Sequence, residues 1–201
     1  MRATLDKLIS WGGVLLATVL LIAGGLLTWA NVFIGNQVHD QLAAQHITMP
    51  TEKTGLSELP QADQKALAPY AGQQMTTGAQ AQAYADHYIA VHLDGVADGK
   101  TYSEVSGEYV AKYADDPKAA ASPEGQALAA QRQTLFMGET LRGLLLYAYA
   151  FATMGTIAGY AAIVSFAAAA LLIVLVGFGF WHSRRSRLSV ADEGQLVGAH
   201  V

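Results

Sequence analysis

The chain has no cysteine, little charge and few prolines. Without cysteine there is no disulfide framework, no Cys-ligated zinc, no iron–sulfur cluster and no covalently attached haem. Charged residues make up 14% of the 201 residues, against about 25% in soluble domains. No basic patch suits a nucleic acid, so that class of partner is set aside. No G-x-S-x-G, H-E-x-x-H or phosphate loop occurs, and the chain is not expected to be an enzyme or to bind a cofactor itself. Strand alternation and internal repeats are absent too.

What fills the chain instead is apolar sequence, 52% of it, clustered at the two ends. Gly12 to Ala30 carries no charge and is long enough to cross about 30 Å of hydrocarbon as a helix. Trp11 and Trp29 bracket it, about 27 Å apart at helical rise, which suits two interfacial aromatic belts. The run exceeds a signal-peptide core of about 7–15 residues and no clean A-x-A site follows, so an uncleaved anchor is expected. Gly143 to Trp181 is a second uncharged run, closed by Arg184, Arg185 and Arg187. Arg2 and Lys7 precede the first run. By the positive-inside rule both termini are cytoplasmic, and the chain crosses the cell membrane twice.

The second run is too long for one crossing. As a helix it measures about 58 Å, whereas even a steep tilt accommodates only about 26 residues. Tyr160 lies about 31 Å from Trp181 and is the candidate for the outer belt. Leu144, Leu145, Leu146, Tyr147, Tyr149 and Phe151 then stand above the lipid. Their apolar surface needs protein cover, from the chain itself or from a partner.

The middle of the chain is acidic and reads as helical. Thr77-Gly78-Ala79-Gln80 and Thr101-Tyr102-Ser103-Glu104 fit capping boxes. Ser122-Pro123-Glu124 combines an N-cap, a proline at the first helical position and an acid in the first turn. Ala81, Tyr84, Tyr88 and Val91 recur at helical spacing, as do Tyr102, Val105, Tyr109 and Tyr113. Asp94-Gly95 and Asp98-Gly99 predict a turn, and Asp115-Asp116-Pro117 a helix end. Pro50, Pro60 and Pro69 allow only short helices after the first span. The stripes are mostly Ala and Tyr, which bury little area and predict a weak core.

The expected fold is therefore an all-α membrane protein. Residues 1–10 form a cytoplasmic N-terminus and 11–34 the first span. Residues 35–123 form an extracytoplasmic helical segment, and 124–159 a helix leading into the membrane. The second span is 160–181, followed by a cytoplasmic tail at 182–201. Trp11, Trp29, Tyr160, Trp181, Arg184 and Arg185 are the candidate interface anchors. Gly24, Gly25 and the G-x-x-x-G of Gly155 and Gly159 are candidates for close helix packing. Leu144, Tyr147 and Phe151 join them as candidate partner contacts.

Titratable clusters are sparse. His87 and His92 with Asp86, Asp94 and Asp98 are the only metal-like group. Five residues apart, the histidines do not share a helix face as zinc ligands at i, i+4 do, and a solvated helix end is the simpler reading. His39 and His46 read as surface histidines.

The run Gly138-Glu139-Thr140-Leu141-Arg142-Gly143-Leu144-Leu145-Leu146-Tyr147-Ala148-Tyr149, followed by the long apolar helix and Trp181-His182-Ser183-Arg184, resembles a family of small actinobacterial two-span membrane proteins. Members of that family are accessory subunits of the cytochrome bcc–cytochrome oxidase respiratory supercomplex. The resemblance implies integral respiratory subunits and lipids as partners, and a structural role that braces neighbouring subunits. It assigns no role to any single residue. An independent envelope sensor or anchor with a self-sufficient outer domain is the alternative.

Overall fold

The computed structural model describes the backbone of residues 2–198 and the side chains of residues 8–182. Arg2, Lys7, Arg184, Arg185 and Arg187 therefore lie outside the described side chains. About 85% of the chain is helical, with no strand among the described residues. The helices are α1 (Arg2–Ala43), α2 (Gln61–Leu67), α3 (Gly78–Tyr84), α4 (Ala90–Ala97), α5 (Tyr102–Tyr113), α6 (Pro117–Ala120) and α7 (Pro123–Gly198). Two compact units emerge: Met1–Phe33 with Gly155–Val201, and Ile34–Met154.

In the first unit α1 and α7 are each long and apolar enough to cross a membrane. Their most apolar 18-residue stretches have mean hydropathies of 2.1 and 2.7, yet only 11% and 17% of each is buried within the chain. A core helix of a soluble protein would hide most of such a stretch. These helices instead turn apolar side chains outward. The first helix also runs on to Ala43, past the predicted end of the span at residue 34.

The second unit has a real core. Met49, Leu67, Met75, Val105 and Leu135 are fully buried, and Ile89, Leu93 and Leu145 pack with them. The sequence reading expected a weak core of Ala and Tyr; the missing residues come from the proline-broken stretch after α1. There the backbone doubles back on itself. Met75 N–H donates to Ile47 O at 2.8 Å and Met49 N–H to Gln73 O at 2.8 Å, around an isolated antiparallel bridge of Thr48 with Gln74. This pairing turns both methionines inward. As the prolines predict, only short helices fit here: Glu52–Thr54, Leu56–Glu58, α2 and Ala68–Tyr70.

The capping signals are local and form as read. Thr77 Oγ1 accepts from Gln80 N–H, and the Gln80 side-chain Oε1 accepts from Thr76 and Thr77 N–H at 2.8 and 3.0 Å. Gln80 is buried, and its Nε2 donates to Gln73 Oε1 at 2.9 Å, so its polar atoms have partners. Thr101 and Glu104 cap α5 in the same way. Asp116 accepts from Lys118 and Ala119 N–H ahead of α6, and Ser122 Oγ accepts from Gly125 N–H at the start of α7.

Between α3 and α4 the chain widens into a π-helical turn, Ala85–Ile89. The deepest row there is Ala81, Ala85, Ile89, Leu93 and Ala97, one residue in four. In a pure α-helix such a row drifts around the axis by about 40° per step. The wider turn takes up part of that drift. Tyr84, Tyr88 and Val91, the row read from sequence, lie half-buried beside it. The predicted turn also shrinks. Asp94 and Gly95 are helical, and the chain turns only at Asp98, with φ of 50°. Gly99, at φ 78°, donates its N–H to Asp94 O at 3.0 Å. The left-handed pair one turn later supplies the stop.

On α5, Glu108 bridges Lys112 at 2.7 Å and Lys100 at 3.0 Å. Hydrogen bonds from Lys112 and then Lys100 pull its carboxyl down to about 2. A depressed carboxyl supports folding above its unfolded value and loses that support as pH falls through the folded one. The trio is solvent-exposed, so salt screens it. In low salt the Glu108 carboxyl should titrate near 2 by NMR, and 1 M salt should move it toward the ordinary range. Titration at the ordinary value in low salt would contradict the bridged geometry.

Candidate functional site

The seam between α1 and α7 in the first unit is built from small residues. Ser10, Gly13, Ala17, Leu20, Gly24, Leu27 and Asn31 are buried or half-buried at spacings of three and four. Gly155, Gly159, Ala162, Ser165, Ala169 and Leu172 answer them on α7. Such a 3.5-residue period makes a left-handed pair of helices. The contacts run antiparallel: a Cβ on Gly24 would meet the Phe166 ring at 2.8 Å, on Gly159 the Asn31 amide at 3.0 Å, and on Gly179 the Ser10 hydroxyl at 2.7 Å. Each glycine permits an approach that any side chain would block.

Two polar bonds lock the register. Asn31 Nδ2 donates to Gly155 O at 2.7 Å, and Ser165 Oγ donates to Leu20 O at 2.8 Å. Between helices in lipid such bonds contribute roughly 0.6–2 kcal/mol each. Neither donor was singled out from sequence, because an isolated Asn or Ser at a span position carries no local signal. Of the predicted packing glycines, Gly24, Gly155 and Gly159 lie on the seam. Gly25 does not; nothing lies within 4 Å of where its Cβ would be.

The aromatics predicted as interface anchors divide between the ends of the helix pair. Trp11 meets the edge of Phe180 at 6.4 Å, at the end that Trp181 shares. Trp29 stacks on Phe33 at 5.3 Å, at the end of the Asn31–Gly159 contact and Tyr160. Trp11, Trp29, Tyr160 and Trp181 are well exposed. Arg184 and Arg185 fall outside the described side chains.

The second unit holds the other predicted contacts. One face of α7 is covered: Leu135 and Leu145 are buried, and Ala148 and Ala152 pack against the same core. Gly78 sits against Ala152, and Gly138 against Leu93, too closely for any Cβ. Among the described residues the opposite face is bare. Met137, Leu144 and Phe151 repeat every seven residues, and Thr140, Tyr147 and Met154 run parallel to them. Leu144 and Tyr147 are 60% and 67% exposed, with Leu141, Phe151 and Met154 also open. A heptad row of this kind is the pattern of a helix that lies along another helix.

The titratable residues form structural pairs. His87 Nδ1 lies 2.8 Å from Asp63 Oδ1, and Arg142 donates to Asp86 Oδ1 at 3.1 Å. His92 Nδ1 pairs with Tyr88 O at 2.7 Å, and His39 with Asp40 at 3.2 Å. The π-turn thus ties α2 through His87 and α7 through Asp86. Asp94 and Asp98 end a helix. Among the described residues no three His, Asp or Glu side chains gather as a metal site would.

Comparison with family models, with curated proteins and with solved structures finds no match to this chain.

The seam can be tested chemically, because the chain has no cysteine. A Cβ on Gly179 would lie 3.9 Å from Ser10 Cβ, the separation a disulfide needs. Ser10→Cys with Gly179→Cys should close an intramolecular bridge under mild oxidation, seen as a mobility shift lost on reduction. Gly177→Cys, on an open face, should leave Ser10→Cys unbridged. Equal bridging of both pairs would refute this register.

Proposed function

We propose that the chain is a non-catalytic accessory subunit of a membrane respiratory supercomplex. It crosses the cell membrane twice with both termini in the cytoplasm and holds residues 34–154 outside. Its role is to brace neighbouring subunits through the uncovered apolar row on α7. The observation that carries this reading is that row: Met137, Leu141, Leu144, Tyr147, Phe151 and Met154 stand exposed on a helix whose opposite face is already packed. Isolated proteins seldom leave such a patch open. The respiratory assignment rests on the likeness of residues 138–149 and the end of the second span to actinobacterial supercomplex subunits. Haem and copper belong to the neighbours.

A second reading has its own support. The core around Met49, Leu67, Met75, Val105 and Leu135 supports reading the second unit as the free-standing domain of an envelope sensor or anchor. That core also uses Val38 and Leu42 of α1 and Leu145 of α7, so it depends on both long helices.

Purification of the tagged full-length chain in mild detergent separates the two readings. The supercomplex reading expects cytochrome absorption bands in near-stoichiometric amount. A colourless protein running alone favours the envelope reading instead.

A further inference from the structure

The second unit carries a polar groove that none of these roles uses. It lies between α5 and α7, has a volume of about 390 Å3, and is lined by Tyr102, Tyr109, Ala129, Arg132, Gln133 and Phe136. The Arg132 guanidinium sits 5.2 Å from the centre of the Tyr109 ring, within cation–π range. Tyr102 leans on Phe136 at 5.5 Å, forming the second aromatic wall. The small Ala129 lines the groove with them. Ser106 and then Arg132 hydrogen-bond the Tyr102 phenol and hold its pKa below the ordinary value.

What sets Arg132 apart is that no described carboxylate pairs with it. Among the described residues it makes no ion pair, while Arg142, the other arginine of this unit, pairs with Asp86 and Glu139. Yet residues 34–154 hold thirteen Asp and Glu against seven Lys and Arg. The acids of α5 are already committed: Glu104 caps its own helix, and Glu108 bridges two lysines. With the Tyr109 ring beside it and the Tyr102 phenol as one partner, the Arg132 guanidinium keeps further N–H donors for a planar carboxylate. The walls beside it are aromatic, suited to an apolar or planar body.

We infer that this groove binds a carboxylate carried on an aromatic or apolar body, with Arg132 gripping the carboxylate and Tyr102, Tyr109 and Phe136 packing the body. Two sources share that chemistry, a free organic acid and the C-terminal carboxylate of a peptide. The inference is independent of the respiratory reading.

Ligand-observed NMR on the full-length chain in neutral detergent tests it. The probes are phenylacetate, N-acetyl-alanyl-phenylalanine, and the same dipeptide as its amide. Both acids should show saturation transfer and the amide should not. Arg132→Gln should weaken acid binding about tenfold or more, the scale of a lost charged hydrogen-bond pair. Arg132→Lys, which keeps the charge but not the fork, should also weaken it, and guards against a folding failure in the first variant. Tighter binding of phenylacetate assigns the groove to small acids, and tighter binding of the peptide acid to chain termini. Silence from both acids, equal binding of the amide, or unchanged affinity in both Arg132 variants would overturn the inference.

Discussion

The helix that begins at Pro123 carries more apolar surface than a single contact can hide, and the rest of the structure is arranged around that constraint. Along residues 135–152 one face completes the core of the second unit through Leu135 and Leu145. From Gly155 onward a face of small residues receives α1. Within the second unit the row from Met137 to Met154 remains, and none of the described residues covers it. A helix with three apolar faces and two internal partners is the physical basis for expecting a third.

The two units solve packing in different ways. In the second, large side chains leave water, and burial supplies the stability. In the first, the outward faces are apolar already, so hydrophobic burial gives α1 and α7 little reason to associate in lipid. Side chains seated directly on the backbone of Gly13, Gly24, Gly159 and Gly179 take its place, with Asn31 and Ser165 supplying directional bonds. Replacing these small residues with larger apolar ones would raise hydropathy while destroying the pairing.

Features set by short stretches of chain were legible in the sequence. The capping boxes at Thr77 and Thr101, the start of α7 at Ser122-Pro123, and the break at Asp116-Pro117 depend on neighbours within three or four residues. Apolar length was legible for the same reason, since counting uncharged residues needs no partner. The methionine core was not, because Met49 and Met75 are brought inward by the bridge of Thr48 with Gln74, 26 positions apart in stretches without strand alternation. The π-turn hid the row Ala81, Ala85, Ile89, Leu93 and Ala97, whose four-residue repeat fits no regular α-helix. The same limit applies to the groove at Arg132. Its walls come from α5 and from α7, and neither helix alone marks the site. Of the candidate site, the exposed residues Leu144, Tyr147 and Phe151 were named from the length of the run. Which face they share, and that Leu145 lies on the other, emerged only from the packing.

The central claim is that the bare row of α7 meets another integral subunit, and site-specific photocrosslinking in native membranes tests it most directly. A benzophenone amino acid at Tyr147 or Leu144 should form adducts with a subunit of a complex that shows cytochrome absorption. The same probe at Leu145, on the buried face, should not. Adducts to lipid alone, or equal labelling from both faces, would contradict the claim.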